Sequence, residues 1–233
     1  MKHLYSLALV FFIGLQAYAQ EEAFLKKQPL DSLYKEDQFY VGVTYNLLGN
    51  QPSGVTQSGF SSGFHFGFIK DMPINTKRNI AIGAGLGVSI NSFNQNLFIS
   101  ENPRGLSFSL LNRDDTRYTK NRFSNYMLEL PLEFRWRTST AEDYKFWRIY
   151  TGVKFGYVFT NQIKYKGEPE GFKINNANVF ESFQYGLTMS AGYNTWNFYV
   201  YYGLTPIFNS SATLYSESID LNAIKIGLLF YIL

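Results

Sequence analysis

From Phe39 onward, apolar residues recur at every second position over most of the chain, and a period of two belongs to β-strands. Eight segments carry it, at about 38–48, 59–70, 79–91, 122–137, 146–161, 181–194, 196–207 and 219–233. Phe64, Phe66 and Phe68 mark it in the second, and Ile80, Ile82, Leu86, Val88 and Ile90 in the third. In the fourth it runs through Tyr126, Leu128, Leu130, Leu132, Phe134 and Trp136. The eighth is ambiguous, because Ile224 to Leu233 is apolar on both parities.

The alternate face is small or polar. It carries Gly42, Gly67, Gly83, Gly85, Gly87, Gly152, Gly156 and Gly186, together with Thr44, His65, Ser89, Glu129, Glu133, Arg135, Arg148, Lys154 and Thr188. Two barrels compete for this pattern: a soluble one with its apolar face inside, and a membrane one with its apolar face outside. Glycine weakens a strand and packs nothing when it faces water. An eight-stranded barrel has an interior just wide enough to be filled by side chains, where small residues make room for a few large ones. The pattern therefore predicts an all-β, eight-stranded antiparallel up-and-down transmembrane β-barrel. Phe64, Phe66, Leu130, Phe155 and Leu187 are expected to face outward, and Gly85, Glu129, Lys154 and Thr188 inward.

The connections agree. Those at about 49–58, 92–121, 162–180 and 208–218 are long, and those at about 71–78, 138–145 and 195 are shorter. Outer-membrane barrels have short periplasmic turns and longer extracellular loops. In this topology Trp136, Trp147 and Trp196 all fall at the periplasmic rim, with Phe39 and Tyr231, as an aromatic girdle. Residues 219–233 are expected to close the barrel against the first strand, so that no edge is left unpaired in lipid. Deleting them is expected to abolish stable insertion.

Residues 1–19 read as a secretory signal peptide, with Lys2 as the basic start, a short apolar run from Leu4 to Leu15 and an Ala17-Tyr18-Ala19 cleavage site. Residues 20–37 are a polar periplasmic lead-in, and 38–233 the outer-membrane barrel. No later apolar run approaches the roughly 20 residues of a spanning helix. Charged residues are 17% of the chain, below the roughly 25% of soluble domains. Aromatic residues reach 18%, which argues against long disorder. The absence of cysteine excludes a disulfide scaffold, a thiolate metal site and a cysteine nucleophile. A net charge of +3 is too small to point to nucleic acid.

Around Tyr126-Met127-Leu128-Glu129-Leu130-Pro131-Leu132-Glu133-Phe134-Arg135, followed by Phe146-Trp147-Arg148-Ile149-Tyr150 and Gly156-Tyr157, the chain resembles the Bacteroidetes-type outer-membrane β-barrel family whose members are called PorT-like. The resemblance runs from about residue 38 to the end. It implies an eight-stranded outer-membrane barrel and no shared activity, although the namesake takes part in protein secretion across the outer membrane.

Chemistry-bearing motifs are few. Ile82-Gly83-Ala84-Gly85-Leu86-Gly87 lacks the third glycine of a dinucleotide loop, since position 88 is Val88, and it lies on a strand face. His65 is the single histidine beyond the signal peptide, too little for a zinc site, and it sits between Gly63 and Gly67 on the inward face as a hydrogen-bonding group. Glu129, Glu133, Arg135, Arg148 and Lys154 form an expected lumen charge cluster between the fourth and fifth strands. A turn centred between residues 141 and 142 sets Glu129 opposite Lys154 and Glu133 opposite Tyr150, and a slip by one would send charges into lipid. The outer loops carry charge of both signs, in Arg104, Arg113, Asp114, Asp115, Arg117, Lys120 and Arg122 and in Lys164, Lys166, Glu168, Glu170 and Lys173. The adjacent Asp114-Asp115 pair with flanking arginines makes a poor calcium site.

Four functions are weighed: a non-enzymatic anchor or interaction protein acting through its loops, a small pore, an outer-membrane enzyme, and a soluble carrier. Conductance separates the first two, and detergent dependence separates the carrier from the rest. The expected reading is the first, with no catalytic, metal or cofactor site. The expected partners are outer-membrane lipid, lipopolysaccharide and other envelope proteins.

Overall fold

The computed structural model describes residues 37–103, 105–112, 116–138 and 146–232. The expected signal peptide, the lead-in up to residue 36, and Arg104, Arg113, Asp114 and Asp115 lie outside the described residues. Eight long strands form the wall: β1 (Gln38–Gly49), β2 (Ser62–Pro73), β3 (Ile80–Asn94), β6 (Tyr118–Arg137), β7 (Trp147–Gly167), β9 (Phe183–Tyr193), β10 (Trp196–Gly203) and β13 (Asn222–Ile232). Each pairs antiparallel with its neighbour along the chain, and β1 pairs with β13 from Phe39↔Ile232 to Gly49↔Asn222. The barrel is thereby closed. Among the described residues no helix occurs.

The eight segments read from the sequence are these strands, with shifted ends. β6 and β7 run further than expected, to Tyr118 and Gly167, and rise above the rest of the wall. The long connections add strands of their own. β4 (Leu97–Asn102) and β5 (Gly105–Leu110) form a hairpin, β8 (Phe172–Asn175) pairs with the upper part of β7, and β11 (Thr213–Leu214) pairs with β12 (Glu217–Ser218). At the other end, β9 and β10 are joined by Asn194-Thr195, with Asn194 in the left-handed region that asparagine tolerates.

Alternate residues along each barrel strand are buried and exposed. Phe64, Phe66, Leu130, Phe155 and Leu187 face outward, between 40% and 56% exposed, while Glu129, Lys154 and Thr188 are buried within the lumen. The outward apolar band on β6 runs from Tyr126 to Trp136. Ten strand steps of about 3.3 Å, tilted about 40°, give a height of about 25 Å, the apolar height of an outer-membrane barrel.

One irregularity matters later. In the β6–β7 ladder Tyr126 pairs with Thr160 but Met127 pairs with Val158, so Phe159 is an extra residue on β7. A β-bulge of this kind exchanges the two faces of its strand. Below it Lys154 and Val158 are buried; above it Asn161, Ile163 and Tyr165 are buried instead.

Candidate functional site

The lumen is filled in three layers. The lowest lies toward the short connections. Asp71, at the end of β2, accepts from Nη1 of Arg135 at 3.2 Å and from both Nη1 and Nη2 of Arg137 at 2.8 Å. Nε of Arg135 donates to Glu133 at 3.1 Å, and Nε of Arg137 donates to the Arg78 carbonyl at 3.0 Å. The Arg135 guanidinium also lies 4.6 Å from the Tyr150 ring centre, and that of Arg148 lies 4.5 Å from Phe146. Asp71, Arg135 and Arg137 are fully buried. A charge removed from water this far must be matched by its partners, and the bidentate Arg137–Asp71 pair is the geometry that does so best.

The middle layer centres on Glu129. Its carboxylate lies 3.0 Å from Nζ of Lys154, 3.4 Å from Nδ1 of His65 and 4.0 Å from Nζ of Lys225. Rings complete the layer: Tyr199 and Tyr40 lie 5.0 and 5.7 Å from the Lys154 ammonium, and Tyr201 lies 4.6 Å from that of Lys225. Nε2 of His65 sits 3.3 Å from the Thr44 hydroxyl.

Glycines explain how such large groups fit. Glu129 lies between Gly87 and Gly156 on its two neighbouring strands, and Glu133 between Gly83 and Gly152. A Cβ on Gly67 or Gly87 would collide with the Tyr40 ring or hydroxyl, and one on Gly83 would come within 2.6 Å of Nε of Arg135.

The upper layer is apolar and comes largely from the long connections. Phe123 of β6 stacks on Phe93 of β3 at 5.1 Å and meets Phe208 edge-on at 5.2 Å, while Phe180 lies 4.9 Å from Phe208. Leu97, Ile163, Ile207 and Leu221 pack into the same cluster. Between it and the Glu129 layer, the gap lined by Asn91, Asn125, Met127, Gln184 and Lys225 is too tight for a water molecule.

The expected cluster residues occupy this lumen with one change of register and three additions, Asp71, Arg137 and Lys225. Glu129 faces Gly156 and Glu133 faces Gly152, not Lys154 and Tyr150. The shift is two residues, so every side chain keeps its face. Lys154 reaches Glu129 along the diagonal. Asp71 lies one residue beyond the expected end of the second segment at residue 70, and Lys225 on a strand that is apolar on both parities, so the period of two assigns neither to the lumen. Lys225 is itself the signal that could have resolved β13, since it is the one charge in the strand. Tyr231 is a correction. It does not join the outer girdle but is buried inside, 5.6 Å from Tyr150 and near Arg148. Phe39, at 5.0 Å from Phe68, does face outward at that rim, as do Trp136, Trp147 against Tyr193 at 5.4 Å, and Trp196 against Phe230 at 4.7 Å.

Among the described residues the lumen sets three buried carboxylates, Asp71, Glu129 and Glu133, against five buried cations, Arg135, Arg137, Arg148, Lys154 and Lys225, and Arg148 meets aromatic rings in place of a carboxylate. Among the described residues no group of three or more His, Asp or Glu side chains is placed to hold a metal ion. A comparison with curated proteins finds no match. Among solved structures, a substituted variant of the Rh. blastica porin aligns at 8% identity over 84% of this chain and 99% of its own, with a TM-score of 0.15. The sequence comparison is decisive: residues 18–209 match the family described as outer membrane protein beta-barrel domain, and the chain belongs to that family of outer-membrane β-barrels.

Proposed function

We propose that this barrel is a non-enzymatic anchor that presents its outer loops to other envelope components, and that it conducts nothing. The observation that carries the reading is the double closure of the lumen, by the Asp71 and Glu129 ion networks below and the Phe93–Phe123–Phe208 cluster above. The loops, by contrast, are ordered into short strands and leave polar clefts. One of about 500 Å³ is lined by Thr56, Gln57, Asn96, Asn112 and Tyr118, and one of about 330 Å³ by Thr160, Asn176, Asn178 and Asn209. Clefts of this size can take a partner's side chains or a sugar, and their polar linings offer hydrogen bonds. His65 is held inside the lumen by Glu129 and Thr44, which supports the absence of hydrolase chemistry. The PorT-like resemblance favours envelope proteins as the partners, a secretion assembly being one setting.

Two measurements test this. The purified protein in planar bilayers is expected to give no discrete conductance steps. A photoreactive group at Asn112 in native outer membranes is expected to give a discrete protein adduct that the same group at Leu130 does not. Stepwise ohmic channels, or identical adducts from both positions, would overturn the reading.

A further inference from the structure

Above the Phe159 bulge, the outer wall of the barrel changes character. Lys120 and Arg122 on β6, Lys164 and Lys166 on β7 and Lys173 on β8 lie on the outward face, while Asn121, Phe123, Ile163 and Tyr165 between them are buried. The bulge is the cause: without the extra residue, Lys164 and Lys166 would continue the inward parity of Lys154 and Val158.

The pairing sets these cations directly against one another. Lys120 is opposite Lys166, Arg122 opposite Lys164, and Lys164 opposite Lys173. Like charges facing across a ladder destabilise it, and an anion held between them would relieve that repulsion. Among the described residues, none of the five has an ion pair; Glu168 and Glu170, in the β7–β8 turn, bridge to none of them.

Height identifies the anion. Arg122 lies four residues beyond Tyr126, the top of the apolar band, which is about 10 Å above it on a strand tilted about 40°. Lys120 is about 5 Å higher again. This is the level of the outer-leaflet headgroups, and long basic side chains reach downward from it along their stems. Clusters of Lys and Arg beside a membrane boundary bind acidic headgroups.

We propose that the β6–β7–β8 outer wall is a binding site for a phosphorylated glycolipid of the outer leaflet, with Lys120, Arg122 and Lys164 holding its phosphates. The proposal rests on the outer-membrane placement of the chain and concerns the lipid-facing wall, so it stands or falls separately from what the loop clefts bind.

The test uses the folded full chain in detergent with lipopolysaccharide as the probe, read by native mass spectrometry. Lys120→Gln/Arg122→Gln/Lys164→Gln is expected to weaken retention about tenfold or more. Lys166→Gln/Lys173→Gln, at the upper rim, should weaken it by a smaller factor. Lys70→Gln, an outward lysine at the opposite rim, should change nothing. Lipopolysaccharide stripped of its lipid A phosphates should bind the wild type no better than the triple variant. Excess inorganic phosphate should leave the complex intact, because a single ion does not replace several anchored groups. Equal retention by wild type and both variants, equal binding of the dephosphorylated lipid, or complete displacement by inorganic phosphate would each overturn the proposal.

Discussion

Below Asn91 the lumen is packed with carboxylates, guanidiniums and ammoniums; two residues further along the same strand, Phe93 opens a cluster of benzene rings. The lower layers are built almost wholly from strand residues. Their direction is imposed by the lipid outside, and their space by glycines on the neighbouring strands. The upper layer draws Val179, Phe180, Ile207 and Phe208 from connections whose backbones hydrogen-bond to one another, while its side chains meet by contact alone. An ion network on a rigid ladder has one solution, and breaking it strands a charge. A cluster of rings tolerates rearrangement, because dispersion has no preferred direction.

The contrast can be broken most severely at Asp71. Asp71→Ala leaves Arg135 and Arg137 facing each other in the lumen and is expected to lower stability by about 3–5 kcal/mol, read as a shifted urea midpoint in lipid vesicles. A loss below about 1 kcal/mol would mean that the lower layer is no more exacting than the upper. Phe208→Ala removes a ring with three aromatic neighbours, at about 3 kcal/mol, but the loss should stay local. The 204–221 connection should become sensitive to added protease while the barrel keeps its heat-modifiable mobility. Loss of that mobility would merge the two regions into one unit. Gly67→Ala pushes a methyl group against the Tyr40 ring and should cost about 2 kcal/mol by the same urea assay; a neutral result would remove space as the constraint on the strand-borne layers. The smallest effect is a coupling. Glu129→Ala should be more harmful than Glu129→Ala/Lys154→Ala, with about 1 kcal/mol recovered. Recovery is partial because His65 and Lys225 also face that carboxylate; strict additivity would dismiss the pair.

Parity carried most of what could be read from the chain. Glu129, Glu133, Arg135, Arg148 and Lys154 share a face because Leu128, Leu130, Phe134, Ile149 and Phe155 must meet lipid. Parity says nothing about an even slip, which is why the β6–β7 register differs by two residues. A space argument would have chosen correctly, since Glu129 opposite Gly156 leaves room that Glu129 opposite Lys154 does not. The Phe159 bulge leaves no mark in the residue pattern, because Thr160 to Lys166 alternates plausibly in either phase. The apolar plug was illegible for another reason. Val179, Phe180, Ile207 and Phe208 lie in irregular segments, where no period says which way a side chain points. The aromatic cap therefore had to be seen in three dimensions.

The ladder between β1 and β13 has a consequence in time. Seven of the eight seams of the wall join segments that leave the ribosome one after another, so each can zip as soon as its second strand exists. The eighth joins the first strand made to the last. Until Asn222–Ile232 is complete, β1 keeps one bare edge, and so does whichever strand was made most recently. A bare edge is intolerable in hydrocarbon and adhesive in water. A chain cut short anywhere before β13 therefore has bare edges that none of its own strands covers, and no membrane form to settle into. Truncated products are thereby sorted from finished ones by geometry alone.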